Sequence, residues 1–524
     1  MGAAEQPTHA EPKQGYAATA ASGSAWTSGQ LILNKLVTIA AGVLLTRMLS
    51  PSDYGLAFFV VNLVAFVFVC PAFVMGDVLL ADRRRFQEIV GAANVVMWAV
   101  AFATFATLAA AAIPIERFDG RAGVALLILF AATRPLSEAV LAIPHARMRM
   151  DLEYRRIATI DGCVSLAATA GSLAMAYFGA GAVALILPPI STLALRGAFY
   201  WRIVRSRIDL KVRSSEIRPV AHRFVVAGLG QYVNNILLSL EIVVLGLVTN
   251  EAEVGLFVLA ATYAIQANLV IAGQLGSVLQ PIFARMHDDP RRQVGGFLRA
   301  TRILCAIAVP LSLVQAALAV PLFEILFLPE WRGSSSIFAV LSIAQAFIFI
   351  SAPSLALLKA QGRFRANLAL QLGQLTVASL AFVGAVLYCG PWALEFTASC
   401  GLPADQNAGK ALALGFVSAA VSALFCPLAV WLAGRPAALS VGATARLFLE
   451  PWAVAAPIAL LLVAGWSWLR SEVSISAANL ITVLGLAPIA AIGSMVLLIR
   501  LRRDTREDVA AILSKVRWLE RWVK

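Results

Sequence analysis

Apolar runs of about 20 residues recur from Ala25 to Arg500 with short polar gaps between them, and that is the helix length needed to cross a bilayer. Inside lipid every backbone N–H and C=O must be paired within the chain, which restricts runs of this length to α-helices. The composition agrees. Of 524 residues 60% are hydrophobic and 14% charged, whereas soluble domains carry about a quarter charged residues. The runs fall at 24–46, 55–80, 90–114, 122–144, 157–178 and 182–201, then 224–248, 255–284, 300–322, 334–358, 366–388 and 411–432, and finally 447–468 and 478–499. This predicts an all-α polytopic membrane protein of fourteen transmembrane helices: two groups of six and a terminal pair.

Charge placement tests that count, because cytoplasmic loops collect Lys and Arg and external loops do not. Loops after even-numbered helices, with the C-terminal tail, hold thirty-two of the 42 cations, including Arg83-Arg84-Arg85 and the stretch from Arg202 to Arg223. Loops after odd-numbered helices hold six: Arg47, Arg117, Arg121, Arg332, Lys410 and Arg470. The even side, with both termini, is therefore expected in the cytoplasm. The net charge of +13 then reads as a topology signal and a contact surface for anionic lipids, not as a nucleic-acid site.

The segments between and beyond the spans are short. Residues 1–23 are polar and read as a disordered cytoplasmic tail, and 202–223 as a basic cytoplasmic linker between an N-terminal bundle at 24–201 and a C-terminal bundle at 224–432. After the helix pair at 447–499, the segment 503–524 places Val509, Ile512, Leu513, Val516, Leu519 and Val523 near one face, an amphipathic helix for the inner leaflet or for packing on cytoplasmic loops. Six cysteines lie scattered with no CxxC, so no metal site or cofactor is expected. Cys389 and Cys400 border one loop, and both a disulfide there and a plain helix position for Cys389 stay open.

The two groups of six repeat one another. Gly29-Gln30 and Asn34 recur as Gly230-Gln231 and Asn235, and Asp53-Tyr54-Gly55-Leu56 as Glu253-Val254-Gly255-Leu256. A weaker echo relates residues 139–150 to 353–364, with Arg149 opposite Arg363. Because six is even, both groups start on the same side, as parallel repeats about an axis along the membrane normal. Two such bundles can rock about a central cavity.

These residues resemble the Wzx-type polysaccharide and O-antigen flippases, in the MATE-like exporter superfamily that also holds multidrug exporters and lipid II flippases. The carriers are Arg47 to Gly55 after the first helix, Asn234-Asn235 with Glu241 and Gly246, Pro281 to Arg285, and Glu330-Trp331. Two positions depart from the pattern: Glu241 stands where the family usually has Asp, and Leu247 where a basic residue is common. The resemblance implies a bacterial inner-membrane flippase for polyprenyl-pyrophosphate-linked oligosaccharide repeat units. It would work by alternating access driven by an ion gradient, H+ or Na+, beside a polymerase of the same pathway.

Setting aside the loop cations and Lys13 leaves Lys35, Arg134 and Arg196, all in the first group of six. An ionised side chain at the bilayer centre costs about 2.5–3.5 kcal/mol even on lenient scales, so each should face a cavity or a partner. With the implied cargo, they are candidates for offsetting the pyrophosphate's charge. Arg134 has the alternative of pairing with Glu138 one turn on, and Arg196 that of reaching the surface. Gln30, Asn34, Gln231 and Asn235 are candidate cavity residues, or helix-to-helix hydrogen bonders. Asp161 and Glu241, with Glu138, are candidate ion-coupling carboxylates, or packing partners for Arg or Asn. A multidrug exporter would favour acids over bases in its lumen. A membrane polymerase or ligase would need a large external loop with catalytic Arg or His, and the longest external loop expected is the one around Trp392 to Lys410.

Overall fold

A computed structural model describes residues 34, 36–67, 71–121, 123–205, 208–272, 279, 283, 286, 289–399, 408–502 and 504–508. Among the described residues regular structure is entirely helical: α1 (Leu36–Leu45), α2 (Pro51–Val67), α3 (Pro71–Ala81), α4 (Phe86–Asp119), α5 (Val124–Ala132), α6 (Arg134–Met150), α7 (Tyr154–Tyr177), α8 (Val183–Val204), α9 (Ser214–Val248) and α10 (Glu251–Ala272). There follow α11 (Pro290–Ala317), α12 (Ala319–Leu326), α13 (Gly333–Ala360), α14 (Phe364–Tyr388), α15 (Gly390–Ser399), α16 (Gly409–Gly434), α17 (Val441–Glu472) and α18 (Ile475–Leu501), the last with a π turn at Ile481–Leu486. Twelve stretches are long and apolar enough to cross a membrane. The expected spans 24–46 and 255–284 are described only in part, as α1 and α10, so twelve is the number established.

Three expectations change. The linker at 202–223 is shorter, because α8 runs to Val204 and α9 starts at Ser214. Ion pairs to the turn between α3 and α4 hold those polar first turns: Arg85 Nη2 to Glu216 Oε1 at 2.7 Å and Arg223 Nη1 to Asp82 Oδ2 at 2.7 Å. The loop around Trp392 to Lys410 contains α15, whose Trp392 and Phe396 rings stack at 5.6 Å. Cys389, at the end of α14, is a free thiol. Cys400 and the amphipathic segment from Val509 onward lie outside the described residues.

The repeat is visible in how the halves meet. Helices α2 and α10 cross at Gly55 and Gly255, the equivalent positions of the two motifs. A Cβ on Gly55 would collide with the Glu251 carbonyl, and one on Gly255 with that of Pro51. Such reciprocal contact is what a two-fold-related pair makes. The acids two residues earlier each lie beside the start of another helix. Glu253 accepts from the N–H groups of Lys410 and Ala411 at 2.7 and 2.9 Å, in the first turn of α16, and Asp53 Oδ1 lies 2.8 Å from where a Cβ on Gly181 would stand, just before α8.

These motifs gather at the cation-poor end of the molecule. Trp331 is fully buried there, and its Nε1 donates to the Thr46 carbonyl at 3.0 Å, with its ring edge-on to Tyr54 at 5.2 Å. Arg121 donates to the Thr249 carbonyl at 2.8 Å and pairs with Glu251 at 3.4 Å. Around them a continuous core including Phe59, Phe257 and Phe338 joins both halves. At the cation-rich end, α17 and α18 pack on α11, and Asp508 takes Arg299 at 2.8 Å and Arg302 at 2.7 Å.

Candidate functional site

Two adjoining cavities lie among the helices of the first half. One, of about 340 Å³, is bounded by α1, α2, α7 and α8 and closed by α10, with Thr38, Thr169, Ser172, Thr262, Tyr263 and Gln266 as its polar lining. The Tyr263 hydroxyl donates to the Ile39 carbonyl of α1 at 3.1 Å, so the second half is hydrogen-bonded across this space. The other cavity, of about 370 Å³, is apolar except for Arg134, and shares Phe58, Leu185 and Pro189 with the first.

Arg134 owes its position to a break in the helix. Pro135 has no N–H for the carbonyl four residues back, so α5 ends at Ala132 and α6 starts at Arg134. Its Nε lies 3.1 Å from Oε1 of Glu138, whose side chain is 4% exposed against 34% for Arg134. Arg134 is thus paired with Glu138 and is also among the residues lining the cavity.

Arg196 is in a different place. Its Nη1 is 3.3 Å from Oδ1 of Asp161, the same oxygen that accepts from the Tyr200 hydroxyl at 2.6 Å, and His145 stacks on Tyr200 at 5.8 Å. Arg196 is in neither cavity lining, so this cluster ties α6, α7 and α8 together. Glu241 accepts from the Ser418 hydroxyl at 2.6 Å, joining α9 to α16, and Gly246 one turn on lies under the Phe59 ring, which a Cβ would enter.

Among the amides, Asn235 donates to the Ala65 carbonyl of α2, Gln231 is exposed on α9, and Asn34 stands one turn before Thr38, whose hydroxyl donates to the Asn34 main-chain carbonyl at 2.7 Å. Gln30 and Lys35 lie outside the described residues. Sequence reasoning did not single out Tyr200, His145 or Tyr263. Tyr200, four residues after Arg196, had a spacing that pointed to it; Tyr263 had no such signal.

A family model described as polysaccharide biosynthesis protein matches residues 44–336 of the chain. The fold is similar to that of the lipid II flippase MurJ in an inward closed conformation, with a TM-score of 0.67, 12% identity, and coverage of 90% of this chain and 98% of that one. It is also similar to an inward-facing multidrug resistance MATE family transporter of the MOP superfamily, with a TM-score of 0.56, 14% identity, and coverage of 77% and 96%. A Vibrio cholerae MATE transporter gives 0.50 at 14% identity, covering 79% and 94%. At these identities the likeness is one of fold. No curated protein sequence matches the chain.

Proposed function

Because the chain belongs to the family of polysaccharide biosynthesis proteins, we propose that it is a flippase carrying polyprenyl-pyrophosphate-linked oligosaccharide units across the bacterial inner membrane. The observation that carries this reading is a cation kept at an otherwise apolar cavity between membrane helices: Arg134 among Ala57, Phe58, Val61, Ile186 and Leu193. A pyrophosphate stripped of water in a low-dielectric space needs a positive partner, and a guanidinium presents a planar fork suited to phosphate oxygens. Lys35, which lies outside the described residues, is the second candidate cation of the sequence.

Glu138 gives the site a release step. While its carboxylate holds Arg134 the guanidinium is occupied, and a phosphate must compete for it. Return of the Glu138 carboxylate to Arg134 is then what displaces the cargo. Asp161 and Glu241 are the further carboxylates where an H+ or Na+ gradient can act. The cation-poor end faces outward, both termini face the cytoplasm, and the bond pattern of the cargo is left unchanged.

The test is flux of a labelled lipid-linked oligosaccharide in proteoliposomes under an imposed ion gradient. Wild type is expected to translocate it, and Arg134→Ala and Lys35→Ala each to lower the rate about tenfold, the weight of one hydrogen bond to a charged group. Undiminished flux in both variants overturns the cation role. Export of an organic cation with no movement of glycan lipid overturns the reading as a whole.

A further inference from the structure

A second polar cavity, of about 400 Å³, opens at the cation-poor end between α12, the Pro329–Trp331 turn and the start of α18, beside the end of α17. The sequence assigns only six Lys or Arg to that end, and two of them, Arg332 and Arg470, line this one space. Cations are disfavoured on the external side of a membrane protein, so two converging there call for a local partner. Arg470 has one in Glu324 at 3.3 Å. Arg332 has no ion-pair partner among the described residues.

The rest of the wall is built to stay still. Asn479 is 2% exposed; its Nδ2 donates to Glu324 Oε2 at 2.8 Å and its Oδ1 accepts from Trp466 Nε1 at 2.8 Å. The Arg470 guanidinium lies over the Trp466 ring at 5.2 Å. Carboxylate, amide and guanidinium are therefore fixed in orientation by neighbours, which preorganises a polar site. Phe323 and Phe327, with ring centroids 4.8 Å apart, supply an apolar side.

We propose that this cavity binds an acidic sugar residue of the glycan on the release side of the membrane. A ligand with one negative charge and several hydroxyls matches what is present: Arg332 and Arg470 for the carboxylate, Glu324 as acceptor for hydroxyls, and the phenylalanine rings for a sugar's C–H face. Its size falls in the usual range of small-molecule sites. A phosphate matches less well, because Glu324, paired with Arg470, lines the same space and repels a dianion. The assignment rests on the flippase reading and gives the terminal helix pair, which supplies Arg470 and Asn479, a share in handling the cargo.

The experiment is calorimetric titration of the purified full-length protein in nanodiscs with a glucuronic-acid-containing disaccharide, with its neutral glucose analogue and with inorganic phosphate. The acidic disaccharide is expected to bind about tenfold more tightly than the neutral one, and Arg332→Gln to remove that advantage while leaving the melting temperature unchanged, since its side chain is exposed. Equal binding of the two sugars, or no effect of Arg332→Gln, overturns the proposal. Phosphate binding as tightly as the acidic sugar overturns it too, in favour of a plain anion or lipid-headgroup site. Wild-type flux of lipid-linked glycans, one acidic and one neutral, measured in parallel, separates the failures: flux without sugar binding sinks this site alone, and no flux of either glycan sinks the flippase reading.

Discussion

Glu138 is 3% exposed, and its carboxylate lies 3.1 Å from Arg134 Nε. Removing one partner of a buried pair costs about 3–5 kcal/mol, whereas replacing both by neutral groups of similar size is often tolerated. Arg134→Met alone should therefore lower the melting temperature of the purified protein clearly, and Arg134→Met with Glu138→Gln should recover most of the loss. Flux should stay low in both; a double variant that regains transport would make the pair purely structural. The Arg196 cluster makes a milder forecast. Tyr200→Phe removes one hydrogen bond to a charged oxygen and keeps the ring under His145, a loss of about 1.5–3 kcal/mol in unfolding measurements. The spacing of Arg134 and Glu138 along one helix made their pairing legible in the sequence. The pairing of Arg196 with Asp161, 35 residues apart on neighbouring helices, was not, because hydropathy carries no information on the rotation of one helix against the next.

Among the elements, the α2–α10 crossing is the least forgiving. Both collisions that a Cβ would make there are with backbone carbonyls, which cannot swing aside as a side chain can. Gly55→Ala should force the helices apart, at a cost at or above the usual overpacking range of about 1–3 kcal/mol, and Gly255→Ala should do the same. Thermal unfolding in detergent measures it; a variant as stable as wild type would mean the crossing relaxes freely. The repeat that pairs these glycines was readable in the sequence as Asp53-Tyr54-Gly55 and Glu253-Val254-Gly255. That the two copies touch was not, since a repeat fixes equivalence and leaves distance open. Elements also departed from hydropathy where polar groups found partners. The Ser214 start of α9 extends a helix past its apolar run because Asp82 and Arg85 pair with it, and Pro135 splits a single apolar run into α5 and α6.

For the molecule as a whole, the contacts at the cation-poor end hold the two halves together there. Trp331 to Thr46, Tyr54 against Trp331, and Arg121 to Thr249 and Glu251 all join the first half to the second there. If the halves rock about a central cavity, these bonds must break for cargo to leave, and holding them shut must stop the cycle. In a cysteine-free background, Arg121→Cys with Glu251→Cys joined by a short reducible bis-thiol cross-linker should abolish flux, and reduction should restore it. Each single cysteine treated alike should keep transporting, which removes alkylation itself as the cause. Trp331→Phe acts in the opposite sense. It keeps an aromatic ring beside Tyr54 and loses the bond to the Thr46 carbonyl, weakening the closed end by about 1–3 kcal/mol through an unsatisfied buried acceptor. Thiol labelling of a cysteine at Arg121 should therefore be faster in Trp331→Phe than in its parent. Unchanged labelling, together with full flux in the cross-linked protein, would mean that this end never opens and that release follows another route.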